Sequence, residues 1–193
     1  MTTKNLSPAA IEEMRALGLT NQDDSPNTEK RAGLLPLPNR EHIKKSSIRA
    51  PEVLNEATEY HPRPSSFSRG MRVELGDAVL LFLSGTASVD EHGNSLYPGD
   101  FTAQCLRTFR NLTALLAAEK ASWHDVVRTS CYLRDIERDY HDFNAIRTHF
   151  MSSLNLDPVP ASTGSQARLC RPELLVEIEA IAVIPKVHNN RNP

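Results

Sequence analysis

Residues 174 to 184, Leu-Leu-Val-Glu-Ile-Glu-Ala-Ile-Ala-Val-Ile, constrain this chain more than any other stretch. The run is eleven residues long, rich in β-branched side chains and flanked by Pro172 and Pro185, which favours a buried strand over a helix. Strand side chains alternate, so Val176, Ile178, Ala180 and Ala182 project from one face and the carboxylates Glu177 and Glu179 from the other. A carboxylate on a central strand must be paired, hydrogen-bonded or open to a cleft, because an unpaired buried charge is too costly. An arginine-glutamate pair across the strands, with Arg168 as the partner, and a catalytic acid facing a cleft both satisfy that requirement.

The rest of the chain is read around this strand. With 193 residues it has length for one domain with a real core. A formal charge of −2 gives no basic footprint for nucleic acid. No apolar run reaches membrane-spanning length and the first residues lack the apolar centre of a signal peptide, so a cytoplasmic protein is expected, with no membrane partner. Cys105, Cys131 and Cys170 are odd in number and widely spaced, which fits free thiols better than a disulfide framework. The seven histidines include no His-x-x-x-His pair, so no metal site is expected.

Ser7 as N-cap, Pro8 at the first helical position, Leu6 stapled on Ile11 and Gly18 past the end predict a helix over residues 8 to 17. Six prolines between Thr20 and Pro64 predict an extended arm, so residues 1 to 64 are read as an N-terminal extension. The compact domain is placed at residues 65 to 186, with 187 to 193 as a polar tail. Within it, Met71 to Glu74 and Ala78 to Ser88 read as strands joined at Gly76-Asp77, with a third short strand at Leu96 and Tyr97. A helix from Phe101 to Glu119 follows, with Phe101, Cys105, Phe109, Leu112 and Leu116 on one face. Val126 to Leu133 alternates as a strand, and Asp139 to Met151 has helical spacing with Tyr140, Phe143, Ile146 and Phe150 inward. Thr163 to Leu169 and Leu174 to Ile184 are expected to close as a hairpin.

This order predicts an α+β domain with one mixed sheet and two helices on the same face. The other sheet face then needs a cover, for which self-association is the simplest solution.

Several motifs carry a resemblance. Ser84-Gly85, Pro98-Gly99-Asp100-Phe101-x-x-Gln104, Asp125-Val126-Val127-Arg128-Thr129, Phe143-Asn144, and Ala167-Arg168-Leu169 followed by Val176-Glu177-Ile178-Glu179-Ala180-Ile181-Ala182 resemble the Rid family, also called YjgF, over residues 65 to 185. The resemblance implies a chorismate-mutase-like fold, a homotrimeric barrel with ligand clefts between subunits, and cofactor-independent hydrolysis of enamine and imine metabolites such as 2-aminoacrylate. It implies that Phe67 stands where the family's cleft carries a hydroxylated aromatic ring, and that Asn144 and Glu177 are matched. The family's carboxylate-gripping arginine is not matched. Its place falls on Ala161, with Pro160 or Ser162 in the adjacent registers, and neither alanine nor serine can replace a bidentate guanidinium. Arg69, Arg72, Arg147 and Arg168 are the candidate substitutes.

A second resemblance is local. Ser84-Gly85-Thr86-Ala87-Ser88-Val89 and Cys170-Arg171-x-x-Leu174-Leu175-Val176-Glu177 are similar to segments of chorismatases, and this implies an acid role for Glu177 with Cys170 beside it. Three readings therefore stand: a hydrolase or deaminase of a small unsaturated metabolite, a non-catalytic trimeric ligand binder, and a chorismatase-like hydrolase. For the first, Glu177 can act as acid or base if burial raises its pKa, and Asn144, Thr163 and the Gly85 amide can donate to the substrate.

Overall fold

In a computed structural model of the protein, residues 7–17, 43–60 and 64–186 are described. The chain divides into two units, residues 1–41 and 42–193. Helix α1, Pro8–Ala16, belongs to the first. Its N-cap is Ser7, whose hydroxyl accepts from the Ala10 amide at 3.2 Å, and Pro8 occupies the first turn, where its missing N–H costs nothing. The Leu6 staple and the Gly18 cap lie outside the described residues.

The second unit holds a six-stranded mixed sheet and two helices. Its elements are β1 (Ile43–Ser47), β2 (Gly70–Leu75), β3 (Ala78–Ala87), α2 (Phe101–Ala118), β4 (Val126–Leu133), α3 (Ile136–Ser153), β5 (Ala161–Gln166) and β6 (Val176–Pro185). The strand order is β1-β2-β3-β6-β4-β5. All pairs are antiparallel except β4 with β5. The chain reversal between β2 and β3 is made at Gly76, whose φ of +59° suits glycine. Strand β6 lies between β3 and β4, so the run of residues 174 to 184 is central, as its composition requires.

Alternation along the central strands sorts the two faces. Val79, Leu81 and Leu83 of β3, Cys131 and Leu133 of β4, and Val176, Ile178, Ala180 and Ala182 of β6 are buried in one core with Cys105, Phe109, Leu112 and Leu116 of α2 and Phe143 of α3. Both helices therefore cover one face. Phe109 stacks on Phe150 at 4.4 Å, and Trp123 meets both rings edge-on. On the opposite face Phe82, Val127 and Val183 remain 39–49% exposed.

Four expectations are corrected. Residues 43–60 are not an extended arm: β1 pairs with β2, and Ile48 and Leu54 enter the core. Ile-Lys-Lys-Ser-Ser is a short polar edge strand, which leaves little hydrophobic pattern to read. Leu96 and Tyr97 form no strand. The Asp90 carboxylate accepts from the amides of His92 and Asn94, and Tyr97 has φ +57°, so only a Val89–Ser95 bridge forms. No hairpin joins β5 to β6, because the polar β5 takes an exposed edge parallel to β4 while the apolar β6 takes the centre. Tyr140 does not turn inward; it is 46% exposed and its ring lies by Gly164 of the edge strand.

Candidate functional site

A β-bulge between Leu83 and Thr86 interrupts the pairing of β3 with β6, and beyond it Ala87 sits opposite Glu177. The bulge sets Gly85 directly beneath the Glu177 carboxyl, so close that a Cβ on residue 85 would fall 2.1 Å from Glu177 Oε1. Glycine is what lets the carboxyl sit this close; a side chain at position 85 would push it aside. Glu177 is half-buried, and loss of water, reinforced by the like charge of Glu179, raises its pKa, while the Arg69 guanidinium pulls it partly back.

Glu177 opens into a pocket of about 170 Å³ whose polar groups are Tyr60, Ser65, Arg69, Cys170, Arg171 and Glu177, with Phe67 and Leu174 among its apolar walls. Arg69 is 6% exposed and held on several sides. Its Nε donates to the Asn55 carbonyl at 3.1 Å and its Nη2 to the Tyr60 hydroxyl. Its guanidinium lies over the rings of Tyr60 and Phe67, at 4.9 and 5.1 Å from their centroids. Burial raises the Tyr60 pKa, and Arg69 and Arg171 oppose that rise. Arg171 donates through Nη1 to the Gly93 carbonyl and to Ser95 Oγ, the latter at 3.2 Å.

The loop carrying Cys170 and Arg171 is fixed from below. Arg134 donates through Nε to the Leu174 carbonyl at 2.5 Å and through Nη2 to the Arg171 carbonyl. Gln104, fully buried, donates to the carbonyls of Tyr97 and Glu173 and accepts from the Leu175 amide. These contacts give a physical role to the Gln104 of the helix-opening motif.

Of the residues chosen from sequence, Phe67, Arg69, Gly85, Cys170 and Glu177 meet in this pocket. Ser84 turns away; its hydroxyl donates to the Ser68 carbonyl, and it lines a larger groove of about 400 Å³ on the open sheet face with Glu179 and Arg128. Asn144, Ala161, Ser162 and Thr163 lie elsewhere in the same chain, on α3 and the exposed edge strand β5. There Arg147 bridges Ser162 Oγ, at 2.9 Å, and Asn144 Oδ1, at 2.5 Å, and Arg128 donates to Thr163 Oγ1 at 3.1 Å. Arg72 is tied to Glu119 at 2.9 Å and to Glu74 at 3.3 Å, so it is not a substitute clamp. Arg168 is exposed and has no carboxylate partner among the described residues, which overturns its reading as the partner of a strand glutamate. The group that meets Glu179 is the Tyr132 hydroxyl, which donates at 3.0 Å.

Tyr60 and Arg171 are the residues that sequence reasoning missed. Tyr60 belongs to the proline-rich stretch taken for an arm, where no periodicity marks it. Arg171 stood in the Cys170-Arg171 motif, yet only the fold shows that it lines the pocket with Tyr60. Among the described residues, no cluster of His, Cys, Asp and Glu is gathered as metal ligands.

Known proteins agree with this architecture. The family model described as Endoribonuclease L-PSP matches residues 62–184. A RutC family protein of Saccharolobus solfataricus is 33% identical over 126 residues, 65% of this chain and 93% of that protein. The 2-iminobutanoate/2-iminopropanoate deaminase of Mus musculus is 32% identical over 104 residues, 53% of this chain and 73% of that protein. The crystal structure of the YjgF gene product of E. coli superposes with a TM-score of 0.57 at 25% identity, over 72% of this chain and 98% of that one. The motifs, the fold and these matches place the chain in the Endoribonuclease L-PSP family, the Rid/YjgF family that its sequence resembles.

Proposed function

We propose that the protein is a cofactor-independent hydrolase of a small enamine or imine, with Glu177 as the proton donor and acceptor. The observation that carries this reading is the Glu177 carboxyl poised over Gly85 in a small pocket, its pKa raised by burial so that it can hold a proton nearer neutrality than an ordinary carboxyl. In the reaction Glu177 donates its proton to the enamine carbon, giving an iminium; the resulting carboxylate takes a proton from water as that water adds to the iminium carbon. The carbinolamine then expels ammonia and leaves a carbonyl product, so one water is consumed per ammonia released. The name of the mouse relative, a deaminase of 2-imino acids, is consistent with this chemistry.

The reading includes a homotrimer. Its support is the uncovered sheet face with Phe82, Val127 and Val183, together with the family's expected barrel. In such an assembly Asn144, Ser162 and Thr163 are assigned to contacts with a ligand bound in a neighbouring subunit. No metal or organic cofactor is part of the reading. The test is a panel of imines generated in situ from amines and amino acids, with ammonia release followed against a blank. Glu177→Gln should lower a measured rate by about 10², and a panel with no rate above blank would sink the hydrolase reading.

One observation favours a second reading. Cys170 lines the same pocket as Glu177, with two arginines beside them, as a chorismatase-like hydrolase of an anionic enol ether would need. Consumption of chorismate, followed by its absorbance, separates the two. Ligand binding without turnover of either substrate class would leave the non-catalytic reading.

A further inference from the structure

The two ends of the Glu177 pocket differ. Gly85, Ala87 and Val89 line its floor in sequence, with Glu177 over Gly85 at one end. Ser95 is bridged to Val89 and anchors Arg171 at the other. The floor from residue 85 to 89 spans at most about 13 Å at ~3.3 Å per residue, and the turn from the Val89 amide to the Ala87 carbonyl shortens it. Arg69 stands between the ends and is committed: its Nε and Nη2 already donate, and the rings of Tyr60 and Phe67 lie 4.9 and 5.1 Å from it. Arg171 is less occupied. Its hydrogen bonds among the described residues run through Nη1, and the Glu173 carboxylate feels its charge without bonding it, which leaves the Nε and Nη2 edge to meet a planar anion.

We infer that Arg171, carried on the loop before β6, is the carboxylate clamp of this pocket, and that its substrates bear the carboxylate one or more carbons away from the double bond that reacts at Glu177. This deepens the hydrolase reading and rests on it for the reactive end. A substrate such as 2-aminoacrylate joins carboxylate and reacting carbon directly. Binding one end at Arg171 and the other at Glu177 would then require guanidinium and carboxyl to be near neighbours. The contacts instead set Arg171 by Tyr60 and Glu177 by Gly85: Arg171 donates to the carbonyl of Gly93, which packs against the Tyr60 ring, Arg69 donates to the Tyr60 hydroxyl, and Glu177 lies against Gly85. The clamp has therefore moved from the edge strand, where Ala161 stands, to the loop joining β5 and β6, and it sits in the same chain as the acid.

Calorimetric titration of the full-length protein with three unreactive probes tests this: 4-oxopentanoate, whose carbonyl mimics a spaced product; 4-oxopentanamide, which lacks the charge; and pyruvate, which lacks the spacer. Wild type should bind 4-oxopentanoate about tenfold or more tighter than the amide, the worth of a charge-assisted hydrogen bond, and tighter than pyruvate. Arg171→Met should erase the preference over the amide. Because Arg171 also braces the turn at Gly93, Arg171→Lys serves if the methionine variant fails to fold, and it should retain part of the preference. Equal binding of acid and amide, no binding of either, tighter binding of pyruvate, or loss of binding in Arg147→Met while Arg171→Met still binds would each overturn the assignment. Since binding is read without turnover, a carboxylate preference with no hydrolysis of any imine would refute the hydrolase reading and leave the clamp standing. Hydrolysis without the preference would do the reverse.

Discussion

Gly85 and Glu177 share a space that admits only one side chain: the Cβ that any other residue would place at position 85 lies 2.1 Å from Glu177 Oε1 and 2.9 Å from its Cδ. The atoms in the way belong to a side chain and not to the backbone, so the carboxyl can swing aside. Gly85→Ala is expected to fold, at a cost of about 1 kcal/mol, while activity falls by about 10² because the acid is displaced. A thermal melt paired with the ammonia assay checks it. A variant that melts like wild type and keeps full activity would remove Glu177 from the mechanism.

The two strand glutamates should respond differently to amidation. Glu177 has a raised pKa in the folded state, so between the ordinary carboxylate value of 4.5 and its raised value the folded form holds the extra proton. Its contribution to stability is therefore greatest below the unfolded value and declines as pH rises through that window. Glu177→Gln, which does not titrate, should gain on wild type as pH rises from about 4 to 7, and melts at both pH values would reveal the trend. Glu179 accepts a bond from the Tyr132 hydroxyl, which an amide oxygen can also accept, so Glu179→Gln should cost about 1 kcal/mol or less. That is well below the loss expected of a broken buried ion pair.

The three thiols should separate by reactivity. Cys105 and Cys131 are buried, and burial pushes the Cys105 thiol up to about 12, while Cys170 is exposed at the pocket. Native protein treated with a maleimide at neutral pH should take one adduct, at Cys170, by peptide mass mapping, and all three thiols should react in denaturant. Occupancy of the pocket by a carboxylate probe should slow the native reaction.

Light scattering on dilute protein should give a mass three times 21.5 kDa. Charge on the open sheet face, as in Val183→Asp, should shift that mass towards the single chain, because Val183 is 39% exposed on a face that the proposed trimer would cover. A monomeric wild type would end the trimer proposal.

Turnover of 2-aminoacrylate should be slow or absent, because position 161 offers no guanidinium. Ala161 is exposed on the edge strand, so Ala161→Arg should leave stability within about 0.5 kcal/mol and raise the rate if the remaining groups are in place. Wild-type turnover matching that of a relative with the arginine would show that another group grips this substrate.

Local chemistry was enough to recognise the elements whose patterns are strong. The alternation in residues 174 to 184, the Gly76 turn and the amphipathic stripe of α2 each depend on neighbours within a few residues, and all three are present in the structure. The two resemblances also marked Phe67, Gly85, Cys170 and Glu177, which the fold brings into one pocket with Arg69, one of four arginines that sequence left unranked. Tertiary structure decided what local pattern does not encode. Strand order depends on which faces and edges can be buried, so β6 entered the centre and β5 the rim although they follow one another in the chain. The role of a charged or phenolic side chain depends on which partner reaches it. Tyr60 and Arg69 come from one part of the chain and Arg171 from another far along it, and only their convergence around Glu177 separates a pocket arginine from the ion-paired Arg72 and the exposed Arg168.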